Sequence, residues 1–288
     1  MKYKILILLS VVLFSLNSYA EMYSANTIEE INNSILSSLE QRDAKKTLVI
    51  MPLKDFIIEP EDPAFYANDE KARIVIGKAI KKIKASTNSY LDELILTEYT
   101  HKFTDDYILT FINNLQKKNT PLIVVSRNLS GSFNKIEYLE AWTWKYLFDH
   151  DIDLSKSPIG LNQLIFDKQY KKIKGSYPTF YKGLLSCNSD SNENSPQSII
   201  ISLLFNSLKW VPDVVYVIDK DENYIYSLIE QFKSVKPDIQ VHGYVYAPAK
   251  IENTKINITD LTNFWNKLVS KLNSVTRKET RKNNNPYE

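Results

Sequence analysis

Apolar and polar positions along the chain follow two periods. Short, nearly continuous apolar runs rich in β-branched residues at 47–53, 121–125 and 214–218 predict buried strands, and 239–246 predicts another strand. Other stretches carry helical spacing. Residues 25–46 set Ile28, Ile31, Ile35, Leu36 and Leu39 on one side; 69–85 set Ile74, Ile76, Ile80 and Ile83 among lysines; 104–118 repeat the pattern with Tyr107, Ile108, Phe111, Ile112 and Leu115. Helices are also predicted over 132–148, 196–210, 223–233 and 260–272, the last capped by Thr259 or Asp260. Trp142 and Trp144 cannot share one helical face, so one of them is expected to meet a neighbouring element. Residues 150–195 read as irregular, with a short strand pair near 164–166 and 179–185 and a polar loop at 186–195. Helix leading repeatedly into strand is the rhythm of a parallel α/β sheet.

Composition adds limits to this picture. With 43% hydrophobic and 24% charged residues, 288 residues form a globular chain rather than a disordered one. The opening Met1-Lys2-Tyr3-Lys4, an apolar stretch over 5–16 and small residues before Glu21 predict a secretory signal peptide at 1–20, cut after Ala20. The apolar stretch is shorter than the roughly 20 residues a membrane span needs, so no transmembrane domain is expected after cleavage. Loss of Lys2 and Lys4 leaves 34 basic against 34 acidic residues. A neutral chain lacks the basic footprint that releases counterions from phosphates, which argues against nucleic acid as a partner. Arg277, Lys278, Arg281 and Lys282 form a basic cluster in the polar tail at 271–288, read as a solvated end.

Ordinary catalytic signatures are thin. Cys187 is the only cysteine, so no intramolecular disulfide is possible, and no cation within four residues would activate it. His101, His150 and His242 lack the paired spacing of a zinc site, and the six glycines form no phosphate-cradling loop. Asp149, Asp151 and Asp153 are not followed by the glycine and glutamate of a calcium loop.

Four segments carry a resemblance. They are TLVIMPLKDFIIEP at 47–60, PLIVVSRN at 121–128, VVYVIDKDEN at 214–223 and GYVYAPAK at 243–250. In this order they resemble the motifs of the haloacid dehalogenase (HAD)-like superfamily, and most closely those of a bacterial family of exported HAD-like proteins of unknown function, DUF2608. That family's first motif reads as apolar residues followed by Asp-Ile-Asp-Asn-Thr-Leu-Leu-Glu-Pro. Aligned on Glu59-Pro60, the nucleophile position falls on Pro52, the acid/base position on Lys54 and the threonine position on Phe56. In the second motif Arg127 matches the arginine of Thr-Ala-Arg, Val125 stands where the threonine belongs, and alternation points Ser126 to the other side of the strand. The third motif, expected near ENSPQS, lacks its lysine, since none occurs between Lys182 and Lys209. In the fourth, Asp219 and Lys220 match Asp-Asp-Lys while Ile218 replaces the first aspartate.

The resemblance implies a HAD-like Rossmannoid parallel sheet flanked by helices over 47–270, preceded by an N-terminal helix at 21–46. It also implies inserted helical and irregular segments at about 61–105 and 128–195. HAD chemistry uses an aspartate nucleophile, a second aspartate as acid, and carboxylates that hold Mg²⁺ against the transferring phosphoryl group. Losing one member of such a set costs about 10⁴- to 10⁶-fold. With Pro52, Lys54, Phe56, Val125 and Ile218 at the key positions, the expectation is an exported, non-catalytic pseudophosphatase that binds or scaffolds, in the periplasm, the outer membrane or secreted. It would take an unknown protein or small ligand and no cofactor. One alternative is a Mg²⁺-dependent phosphatase rebuilt on Asp55, Asp219 and Asp221, with Lys54 on the phosphate. Another is a surface or secreted interaction protein using the aromatic-rich segment 133–181.

Overall fold

The computed structural model describes residues 21–67, 69–84, 87, 90–189, 194–248 and 256–275. The expected signal peptide, the basic tail cluster and Lys250 of the last motif lie outside the described residues. The chain order is strand β1 (Glu21–Ala25), helix α1 (Ile28–Leu39), β2 (Thr47–Pro52), β3 (Ile58–Pro60), α2 (Glu70–Ile80), α3 (Leu91–Glu98), β4 (His101–Phe103), α4 (Ile108–Lys117) and β5 (Leu122–Ser126). There follow α5 (Leu139–Phe148), β6 (Gln163–Ile165), β7 (Thr179–Tyr181), β8 (Leu184–Ser186), α6 (Pro196–Ile201), β9 (Val214–Asp219), α7 (Glu222–Val235), β10 (Gln240–Tyr246) and α8 (Ile258–Leu272).

An eight-stranded sheet runs in the order β1-β10-β9-β2-β5-β8-β7-β6. Neighbours from β1 to β8 are parallel, and β8-β7-β6 is an antiparallel meander. The mixed α/β architecture with a mostly parallel sheet is the class that the apolar runs predict. Alternation sends Val49, Met51, Tyr216 and Ile218 to one face, under Ile31 and Ile35 of α1 and Phe111 and Leu115 of α4. Leu48, Ile50, Val215 and Val217 go to the other face, under α7 residues Ile225, Leu228 and Phe232. Gly243 of β10 permits the close approach of α7, since a Cβ there would sit 2.4 Å from Ile225 Cγ2. A third apolar cluster joins α2, α3 and α8 through Ala72, Ala79, Leu94, Leu261, Trp265 and Leu268.

Several elements depart from the sequence expectation. Residues 21–46 are not helical throughout: Glu21–Ala25 form the edge strand β1, paired from Glu21↔His242 to Ala25↔Tyr246. Helical spacing starts only at Ile28, where Thr27 and Glu30 form a reciprocal capping box. The segment 128–195 is not set apart from the sheet, because β8 pairs parallel with β5 and carries β7 and β6 with it. Within 61–105, α3 and the strand β4, which pairs antiparallel with β3 from Ile58↔Phe103 to Pro60↔His101, were not anticipated. The helix expected over 132–148 begins at Leu139, and the one over 196–210 changes from α to π geometry at Ser202–Ser207. The last helix is capped by Asn257, whose side chain accepts from Thr259 N, rather than by Thr259 or Asp260. Trp144 meets Tyr181 of β7 edge-on at 6.0 Å, whereas Trp142 stacks on Tyr146 within its own helix.

The β1 edge carries a pH-sensitive contact. His242 stacks on Tyr216 at 5.2 Å, its Nδ1 lies 3.4 Å from Glu21 Oε2, and its buried Nε2 has no hydrogen-bond partner among the described residues. Burial pushes its pKa below 6.5, Arg42 adds to this, and Glu21 opposes it. The folded protein therefore binds this proton less readily than the unfolded chain. That contribution is fully present above about pH 6.5 and is lost as pH falls through the lower folded value, at up to about 1.4 kcal/mol per pH unit. His242→Phe is expected to flatten the fall in urea-unfolding stability between pH 7 and 5. An unchanged slope would assign that fall to other groups.

Candidate functional site

The site is built at the carboxyl ends of the central strands. β2 sits between β9 and β5, so the chain leaves it toward one neighbour while the other returns from a later crossover. Open α/β sheets bind ligands at such a switch point. Leu53 N donates to Val125 O at 2.8 Å, and the chain then turns tightly, with Ile57 N and Ile58 N both donating to Leu53 O. Asp55 adopts a left-handed backbone (φ 63°), which turns this loop back toward β3. Thr104, beyond β4, holds the turn by donating through its hydroxyl to Phe56 O and through its N–H to Ile57 O.

A cavity of about 370 Å³ opens here, lined by Pro52, Lys54 and Asp55 at the end of β2 and just beyond it, Val125, Arg127 and Asn128 at the end of β5, and Asp219, Lys220 and Asp221 at the end of β9, with Asp92 from α3. Eight of the sequence-selected positions thus meet around one cleft: Pro52, Lys54, Asp55, Val125, Arg127, Asp219, Lys220 and Asp221. Phe56 and Ile218 do not reach it, being fully buried in the core. Met51 is buried with them, so the cleft is open and polar rather than plugged. Asp92 was missed because α3, which carries it, was not recognised as a helix; the amphipathic run LDELILTE was the available signal.

Lys54 Nζ and Asp92 Oδ1 are 2.6 Å apart, both side chains about half exposed. Such a pair contributes only about 0–1 kcal/mol. The Arg127 guanidinium lies over the Tyr224 ring at 5.4 Å, and Lys220 Nζ lies over Tyr246 at 5.8 Å. Burial pushes the Asp219 carboxyl above the ordinary carboxylate range, opposed by N–H bonds from Asp221 and Lys220 and by the Arg127 charge. Behind the cleft, burial raises the Cys187 thiol well above its usual range, leaving it protonated and unreactive.

Several backbone donors on the loops that follow β5 and β9 are already engaged. Asp219 Oδ1 accepts from Asp221 N (2.9 Å), and Asp221 Oδ1 accepts from Asn223 N and Tyr224 N as the N-cap of α7. Ser126 is buried and turned to Asn128, accepting from its N–H. Leu129 N donates to Glu93, Ser130 N to Asn188 and Gly131 N to Glu140. A phosphate held at a strand-to-helix turn relies on free N–H groups of this kind. The donor set also does not fit Mg²⁺: among the described residues no three His, Cys, Asp or Glu side chains are grouped to hold a metal ion. Asp55, Asp219 and Asp221 share the cavity without forming such a group.

The family model for DUF2608, described as a protein of unknown function, matches residues 24–277. The chain belongs to DUF2608. An uncharacterized protein of Rickettsia bellii is 27% identical over 278 residues, covering 93% of each chain. An uncharacterized protein of Rickettsia felis is 24% identical over 280 residues, again covering 93% of each chain. A Rickettsia typhi protein is 26% identical over 273 residues, or 92% of this chain and 90% of its own. No solved structure matches the chain.

Proposed function

We propose that this DUF2608 protein is exported, descends from a HAD-like phosphatase and no longer catalyses, its cleft serving to bind a small charged molecule. The observation that carries the reading is the contrast within one cavity. Charged heads ring an open volume at the switch point, while Pro52 holds the nucleophile position, Lys54 holds the acid position, and Phe56 and Ile218 are withdrawn into the core. Proline has no side-chain oxygen to attack phosphorus, and the Lys54 ammonium is held by Asp92 at 2.6 Å. Export rests on the apolar segment at 5–16 and the cut expected after Ala20.

Purified protein is expected to hydrolyse 4-nitrophenyl phosphate with Mg²⁺ no faster than a heat-treated sample between pH 5 and 9. Turnover above that control, abolished by Asp55→Asn or Asp219→Asn, would replace this reading with the rebuilt phosphatase.

A further inference from the structure

The cleft's own charges select among ligands, taking as given that it is a ligand site. Three cationic side chains (Lys54, Arg127, Lys220) face four anionic ones (Asp55, Asp92, Asp219, Asp221) around the same 370 Å³. Such a lining repels a dianion and attracts a molecule that carries both signs. The N-terminus of α7 adds nothing for an anion, because Asp221 already caps it. With the N–H groups of Asp55, Asn128 and Asp221 bonded internally, the charged side chains carry the recognition.

The heads differ in how free they are. Lys54 and Asp92 hold each other, and Asp221 holds the helix. Arg127 is exposed, its guanidinium placed by the Tyr224 ring, and Tyr224 is itself fixed by burial, its hydroxyl lacking a hydrogen-bond partner among the described residues. A positioned guanidinium offers parallel N–H donors that match the two oxygens of a carboxylate. Asp55 projects from the left-handed turn as an exposed carboxylate, and Asp219, half-buried, lines the same cavity with Arg127 as an opposing charge.

We propose that the cleft takes a zwitterion, an α-amino acid or short peptide, with its carboxylate on Arg127 and its ammonium facing Asp55 and Asp219. The volume fits this size class, since pockets of roughly 300–1,000 Å³ enclose small molecules. The ligand's ammonium replaces water against Asp219 and favours that carboxylate's ionised form. Lys220 lines the same cavity with its Nζ over Tyr246 and is not assigned to either end of the ligand.

Isothermal titration of the purified protein with the common amino acids, Ala-Ala and inorganic phosphate tests this. At least one free zwitterion is expected to bind, with its N-acetyl and its methyl-ester derivatives each weaker by about tenfold or more. Arg127→Met and Asp219→Asn are expected to lose at least about tenfold in affinity. Arg127→Lys, which keeps the charge and removes the fork, should fall between, and it replaces Arg127→Met if that variant does not fold. Equal binding of the blocked derivatives overturns the proposal. Binding of phosphate alone, abolished by Arg127→Met, removes the zwitterion and leaves the ligand cleft standing. Binding of no compound in the set removes both.

Discussion

Phe56→Ala is expected to lower stability by about 3–5 kcal/mol, the usual range for emptying a phenylalanine site in a packed core. Phe56 is fully buried and meets Tyr246 edge-on at 5.2 Å and Phe111 at 6.4 Å. Such aromatic contacts add about 0.5–1.5 kcal/mol beyond area burial. Its side chain anchors the turn that sets the direction of Lys54 and Asp55, and Thr104 pins the same turn through Phe56 O. Urea unfolding followed by tryptophan fluorescence measures the loss, and Lys54→Ala provides the contrast at under about 1 kcal/mol, since its ion pair is half exposed. A loss below about 1 kcal/mol for Phe56→Ala would place this side chain outside the core. The result bears on function, because a residue in the family's threonine position that anchors the core cannot also bind a phosphate.

The sheet's centre was legible because β2, β5 and β9 are buried on both faces, and a strand in that setting must be apolar almost without interruption. The site was legible to the same extent, since the residue following each such strand lies at its carboxyl end. Two kinds of feature were not. β1 reads EMYSA, too short and polar to declare itself, and it becomes a strand only because β10 offers a free parallel edge. Turn residues escape the period-two rule: once Asp55 takes a positive φ, the side-chain directions of Lys54, Asp55 and Phe56 follow from the turn's hydrogen bonds. Counting along the sequence therefore put Phe56 in the site, while the turn puts it in the core. Asp92 reaches Lys54 from 38 residues away on an unforeseen helix, and no local pattern encodes such a contact.

Trp265→Ala is expected to cost a further large amount, about 3–5 kcal/mol. α8 meets α2 and α3 rather than covering the sheet, and Trp265 is its most voluminous buried side chain. The indole packs against Phe65 at 6.2 Å and donates through Nε1 to Ala64 O at 3.3 Å, so truncation leaves both a void and an unmet backbone acceptor. Asn273 ties the same helix to the end of the α2 segment, accepting from Lys84 N and donating to Lys82 O, while Lys271 pairs with Glu98 of α3 at 2.5 Å. These contacts make α8 the support of α3, and α3 carries Asp92 to the cleft. If the cluster unfolds cooperatively with the sheet, Trp265→Ala shifts a single transition to lower urea. If it melts separately, an early transition splits off while the sheet's own midpoint stays in place. A loss below about 1 kcal/mol with one unshifted transition would mean that α8 contributes no support to the wall of the cleft.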